Sequence, residues 1–359
     1  MADPQSTTEF LLAQCRRYPA LRPEDLLKFL HQSVFGCGHF VTDKTAGLQL
    51  IQKELAALPP ENCGGNLEAL DGGFCRLHLR YLRENGLSPQ TLFSLFALAA
   101  ASPAGNAAAL EEKLACLLAL AREGRLPFPY GEAAQAVQAW RNAGFPACHH
   151  SEEFRRAYAP AYRVIRRAHV WLLPLLASLD RQLAAKKRVI LALEGGSAAG
   201  KTTLAALLCQ IYPDCSVFHM DDFFLRPEQR TPERLAEPGG NVDYERFSRE
   251  VLTPLHRGET VQYRPYNCHT QTMGDLTEAA PRTLNIVEGA YSMHPALAGC
   301  YDLCAFLQIS PEMQKKRIRN RNNPEAQTRF FNTWIPLEQA YFAATDAAGR
   351  CGLILEVDG

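Results

Sequence analysis

The chain has 359 residues, and its 38 Lys and Arg balance 38 Asp and Glu to a formal charge of zero. Such a balance gives no reason to expect nucleic acid or an anionic membrane as the main partner, and the length predicts two domains. The most apolar runs, around residues 91–101 and 169–179, are too short to span a bilayer, and the first ten residues lack the layout of a signal peptide, so a cytoplasmic protein without membrane contact is expected. Its twelve cysteines are scattered through core-like segments, which predicts reduced, packed thiols.

The first half reads as helices. One is predicted over residues 23–35, with Leu26, Leu27, Leu30 and Val34 on one face and Gly36 as its stop. A second opens with Ser88 as N-cap and Pro89 in its first turn, and a third spans about 110–123 with leucines at helical spacing. A longer helical stretch, 161–187 with a kink at Pro174, leads into a different pattern. Short β-rich runs at 188–193, 215–219, 283–287, 302–309 and 353–357 then alternate with helical segments. This order predicts a mostly parallel five-stranded sheet between two helical layers, an α/β domain over 179–359 preceded by a mainly helical domain over 1–178.

The first β run ends in Gly195-Gly196-Ser197-Ala198-Ala199-Gly200-Lys201-Thr202-Thr203, which fits G-x-x-x-x-G-K-[ST] between a strand and an amphipathic helix. Glycines in this pattern let backbone N–H groups converge on a polyphosphate, and the helix start adds its positive end. Lys201 is expected to reach the β- and γ-phosphates of ATP, and the Thr202 hydroxyl to ligate Mg²⁺. Asp221 follows the second run and can take a proton from an acceptor hydroxyl, while Asp222 beside it reads more readily as a helix cap. Glu288 closes the third run as an acid that holds Mg²⁺ directly or through water. Arg317 and Arg321, four residues apart, share one helix face and can close over a transferring phosphoryl group. The stretch Trp334 to Glu338 with Tyr341 is assigned to packing.

Together, residues 195–203, Met220-Asp221-Asp222-Phe223-Phe224, Asn241-Val242-Asp243-Tyr244, Tyr266-Asn267-Cys268-His269 and Val287-Glu288-Gly289 resemble the uridine kinase, phosphoribulokinase and pantothenate kinase family of P-loop kinases. The resemblance covers the second half. It implies Asp221 as base, Glu288 as the magnesium-side acid and Arg317 or Arg321 as lid cations. By similarity to nucleoside kinases it implies Asp243 on acceptor hydroxyls and Tyr266 and His269 against a base or another flat group. Asn-Val-Asp-Tyr stands where uridine kinases carry Phe-Asp-His-Pro, which opens the question of the acceptor. The expected activity is ATP- and Mg²⁺-dependent phosphorylation of a small-molecule hydroxyl, a nucleoside foremost. The alternative is a regulatory protein whose ATP binding controls the helical half.

In that helical half, Cys37, His39, Cys63, Cys75 and His78 offer soft ligands at spacings that match no standard zinc site. His39 and the cluster Cys148-His149-His150-Ser151, with Arg76, Tyr162 and Arg163, read instead as a polar pocket or a buried hydrogen-bond network. A second active site, a ligand sensor and a homo-oligomerisation unit are all compatible with this half.

Overall fold

The computed structural model describes residues 4–36, 43–59, 65–268 and 270–357. The chain divides into two compact units, one up to Val170 and one from Trp171.

The first unit contains helices α1 (Pro4–Arg17), α2 (Pro23–Phe35) and α3 (Lys44–Ala56), strands β1 (Leu67–Ala69) and β2 (Phe74–His78), and helices α4 (Arg80–Asn85), α5 (Pro89–Ala100), α6 (Ala107–Arg122), α7 (Tyr130–Asn142) and α8 (Glu152–Tyr158). Strand β3 (Tyr162–Arg166) completes a three-stranded antiparallel sheet in the order β1-β2-β3. α2 covers the expected span, and the Ser88 hydroxyl accepts the Thr91 N–H at 3.0 Å, which caps α5. Leu26, Phe29, Leu30, Phe74, Leu92, Leu95, Val164 and Ile165 are all fully buried, and each contributes roughly 1.5–3 kcal/mol of burial.

The sheet corrects one expectation. Residues 162–166 pair with β2 in the register His78↔Tyr162 to Phe74↔Arg166 and are not helical. Val164 and Ile165, β-branched and fully buried, suit a pleated surface better than a helix. Pro174 does not kink a helix but stands in the first turn of α9 (Leu173–Ala185), where its missing N–H leaves no bond unmade.

The second unit continues from α9 with β4 (Val189–Gly195), α10 (Lys201–Ile211) and β5 (Cys215–His219), then short helices α11 (Pro232–Ala236), α12 (Tyr244–Phe247) and α13 (Thr253–Arg257). Strands β6 (Val261–Tyr263), β7 (Tyr266–Asn267), β8 (Thr272–Met273) and β9 (Thr277–Ala279) form two small antiparallel pairs, β6 with β9 and β7 with β8. β10 (Leu284–Glu288), β11 (Leu303–Gln308), α14 (Pro311–Arg321), α15 (Pro324–Arg329), α16 (Ile335–Thr345) and β12 (Leu353–Glu356) follow. The main sheet is five-stranded and parallel throughout, ordered β12-β11-β4-β10-β5. Each expected β run is one of these strands. β4 lies at the centre with every residue buried, as a strand covered on both faces must be. Its register with β10, and that of β10 with β5, brings Leu193, Glu288 and His219 level at the carboxyl end of the sheet, where ligands bind in open parallel sheets.

Candidate active site

β4 runs directly into the glycine loop and α10. Gly195 has φ +148° and Gly200 φ +98°, conformations that L side chains rarely adopt. A Cβ on Gly195 would stand 2.6 Å from the Leu307 carbonyl oxygen of β11, so glycine here lets two strands approach. Buried Lys201 crosses the loop, its Nζ donating to the carbonyls of Gly195 at 2.8 Å and Gly196 at 3.0 Å. The ammonium is thereby held against the loop's own carbonyls. Ser197 and Ala198 are half-buried, Ala199 is buried, and Thr202 and Thr203 are exposed.

The acids come from the adjoining strand ends. Glu288 at the end of β10 accepts from the Thr202 hydroxyl at 2.9 Å and meets His219 Nδ1 at 2.6 Å. Burial alone would raise its carboxyl, but the His219 hydrogen bond and the Lys201 charge outweigh burial and hold it below the usual glutamate range. His219 is raised, first by that hydrogen bond and against its own desolvation. Asp221 lies in the 3₁₀ turn after β5 with an exposed surface, yet protein crowding its carboxyl desolvates it and raises its pKa against the pull of Lys201. Glu288 and Asp222 push in the same direction. Asp222 caps no helix; its Oδ2 accepts from the Tyr263 hydroxyl at 3.1 Å, and desolvation raises it too.

The structure thus brings Lys201, Thr202, Asp221 and Glu288 to one end of the sheet. Arg317 joins them from α14, its guanidinium donating to the carbonyls of Ala198 at 3.2 Å and Val357 at 2.8 Å. Arg321 is exposed, with its guanidinium 5.5 Å from the centre of the Phe330 ring. Asp243 is buried and caps α12: Oδ1 accepts the Arg246 N–H at 3.0 Å and Oδ2 accepts from Gln229 at 2.7 Å. Tyr266 is buried with a hydroxyl that has no hydrogen-bond partner among the described residues, on a strand packed against the Asp221 turn. His269 falls outside the described residues.

Two carboxylates escaped the sequence reading. Glu194, fully buried one residue before the loop, accepts from the N–H groups of Gly195, Tyr291 and Met293 and from the Tyr341 hydroxyl at 2.8 to 3.2 Å. Desolvation pushes it up to about 7 despite these bonds. Glu338 on α16 takes both the N–H of Ser197, at 2.9 Å, and its hydroxyl, so this stretch does more than pack. No sequence pattern links residues so far apart; only the loop serine, a polar side chain inside a glycine-rich cradle, signalled the need for a partner.

The donors suit a magnesium nucleotide. A hydroxyl and an ionised carboxylate at one point are hard oxygen ligands, and a cation there would be held by Thr202 and Glu288. Among the described residues, no group of three or more His, Cys, Asp or Glu is placed to hold a metal ion. Cys75 and His78, three residues apart on β2, point to opposite faces of the strand, and Cys37, His39 and Cys63 lie outside the described residues.

No family model matches the chain. A bifunctional α-galactosidase/sucrose kinase from Mediterraneibacter gnavus is 27% identical over 240 residues, 61% of this chain and 25% of that protein. That share exceeds what the second unit holds, so the similarity reaches into the first. A uridine kinase from Geobacillus kaustophilus is 26% identical over 140 residues, 36% of this chain and 64% of that one. The chain therefore spans a quarter of one curated relative and under two thirds of the other. Among solved structures, one of a possible uridine kinase from Bacillus stearothermophilus aligns with TM-score 0.38 at 19% identity, over 50% of this chain and 98% of its own. A D-glycerate 3-kinase from Cryptococcus neoformans gives TM-score 0.36 at 14% identity, over 46% and 85%. The two curated relatives, a protein named for sucrose kinase activity and a uridine kinase, are similar to this chain over 61% and 36% of its length, in agreement with the resemblance carried by residues 195–289.

Proposed function

We propose that the protein is a phosphotransferase that moves the γ-phosphoryl group of ATP, with Mg²⁺, to a hydroxyl of a small sugar-bearing metabolite. The observation that carries this reading is the meeting of three strand ends: the Lys201 loop after β4, Glu288 ending β10 and Asp221 just after β5. Bound Mg²⁺ supplies charge neutralisation between the phosphates. Lys201 stabilises charge that grows on the transferred group, and Glu288 with Thr202 holds the metal side. Asp221, whose carboxyl pKa is raised by desolvation, is placed to accept the acceptor's proton. Arg317, fixed against the back of the loop, adds a second cation.

On the acceptor side, the Tyr266 hydroxyl, without a partner among the described residues, offers one hydrogen bond, Asp243 is proposed to hold acceptor hydroxyls once Gln229 yields its place, and Tyr266 and His269 are proposed to face the base or another flat group. The relatives named for sucrose and uridine share a sugar ring bearing free hydroxyls, and that common element defines the proposed acceptor class.

ADP release and phosphorylated product, measured across uridine, cytidine, sucrose, fructose and glycerate, test the reading. One acceptor should give product, and Asp221→Asn should cut that rate by about 10³-fold while ATP·Mg²⁺ binding persists. ATP binding without any acceptor-dependent product would remove the enzyme and leave a nucleotide-responsive regulator. A parallel loss of binding in Asp221→Asn would make Asp221 a metal ligand.

A further inference from the structure

The stretch from Trp334 to Tyr341 is expected to pack, and Ile335, Glu338 and Tyr341 are buried, yet Trp334 keeps 38% of its surface exposed. An indole is among the side chains with most to gain from burial, so an open one needs a reason. Trp334 already has helical backbone angles, φ −74° and ψ −45°, and so stands one turn before Glu338, about 6 Å along the axis and about 40° around it. Glu338 is the residue whose carboxylate takes the Ser197 N–H and hydroxyl, and Lys201 and Asp221 both act on its charge. The helix face that meets the glycine loop therefore continues outward into an open indole.

The backbone that carries this indole is irregular. Phe330–Trp334 form a single π-helical turn between α15 and α16, an insertion frequent at functional sites. The turn sets the Phe330 and Trp334 rings edge to face, with centroids 4.5 Å apart and planes at 89°. Phe330 is itself half-buried and lies under the Arg321 guanidinium, as Phe331 lies under that of Arg319. The indole is thus braced while more than a third of it stays open. Its surroundings toward the loop suit a neutral polyol better than an anion. Glu338 and Asp221 are acids, which take hydroxyl protons and repel phosphate or carboxylate, and the Arg317 guanidinium is engaged by the carbonyls of Ala198 and Val357. A sugar ring carries C–H bonds on its faces and hydroxyls at its edge, so the face matches the indole and the edge matches the acids.

We propose that Trp334, braced by Phe330, is the platform on which the acceptor's sugar ring stacks, with the hydroxyl edge of the ring turned toward Asp221. This platform rests on the phosphotransferase reading for the role of Asp221, and it makes the ring itself, rather than any one hydroxyl, the element that is recognised. Ring-bearing acceptors are thereby separated from open-chain ones.

Tryptophan fluorescence reads the platform directly. Of the chain's three tryptophans Trp140 is buried, so a full-length Trp171→Phe chain leaves Trp334 as its exposed indole. Acrylamide quenching is measured on that chain alone, with the Mg²⁺ complex of the non-hydrolysable analogue AMP-PNP, and then with uridine, sucrose or fructose added, glycerate serving as the open-chain control. At least one of the three should lower the quenching slope by roughly two-fold or more while glycerate leaves it unchanged. Trp334→Ala should raise the KM for that sugar roughly ten-fold and leave the KM for ATP within about two-fold, and Trp334→Phe should restore most of the loss. The platform fails if none of the three protects the indole, if glycerate protects it equally, or if AMP-PNP alone does so, which would give the indole to the nucleotide base. Protection by a sugar that is never phosphorylated would keep the platform and remove the kinase; phosphorylation of a sugar with unchanged quenching and an unchanged KM in Trp334→Ala would do the opposite.

Discussion

The two units place their polar residues by opposite rules. In the second, the candidate residues sit where backbone geometry puts them: at the carboxyl ends of three parallel strands and the amino end of one helix. In the first, Asp25, Arg76, His150 and Tyr162 come from four separate segments and meet only because helices and a small sheet pack around them. A site built on a local motif announces itself in sequence; a site built by tertiary packing announces only its most unusual members.

The sharpest way to break this comparison is to attack each site at its centre. Lys201→Ala should lower phosphoryl transfer by roughly 10²- to 10³-fold, about 3–4 kcal/mol of transition-state stabilisation, because the ammonium acts on charge that appears during reaction. Steady-state kinetics beside a circular dichroism melt will show whether activity falls without unfolding; near parental turnover would remove the loop from the chemistry. Asp25→Ala should show the reverse signature. It strips His150, Ser151 and the Arg22 amide of a shared buried acceptor and should destabilise the first unit by about 3 kcal/mol in urea unfolding. A change below 0.5 kcal/mol would mean the network is not structurally coupled.

The pH response separates the units next. Burial pushes His150 down to about 4, against its hydrogen bond to Asp25, so the folded ring binds its proton less readily than the unfolded one. Its contribution is fully present above pH 6.5 and is lost as pH falls through 4, by on the order of 2–3 kcal/mol. His294 in the second unit is also lowered to about 4 and adds a loss of the same sign. The difference between parent and His150→Gln melts across pH 7 to 4 isolates the first unit. Identical slopes would contradict the neutral, buried assignment of His150. The smallest expected effect is at Glu338→Gln, which keeps the size of the side chain but weakens its hold on Ser197. The KM for ATP should change several-fold with kcat within a factor of about two, as expected when loop positioning rather than the chemical step is altered. A kcat loss as large as that of Asp221→Asn would place Glu338 in the reaction itself.

Much of the second unit was legible because its strands, covered on both faces, are uninterrupted apolar runs, and its glycine loop before α10 is a fixed spacing. Glu288 and Asp221 could be named from their places after such runs. Glu194 and Glu338 could not, since their partners lie 97 and 141 residues away along the chain. β3 was misread for a related reason: a short strand of mixed polarity gains its identity from β2, more than eighty residues earlier. Asp243 shows the same limit from another side. The motif identified an aspartate, but only the packing reveals that its oxygens are engaged by α12 and Gln229.

The clasp between Ser197 and Glu338, together with that between Glu194 and Tyr341, has a bearing on synthesis. These contacts close over 141 and 147 residues of chain. At ribosomal rates of about 5–20 residues per second, the phosphate loop emerges on the order of ten seconds before the helix that braces it. Until then the loop lacks two of its anchors, and the sheet also lacks its edge strand β12, which is made after α16. Nascent chains halted before α16 should therefore be open to proteases at the glycine loop, and protection should arrive late and abruptly, when the last-made helix docks.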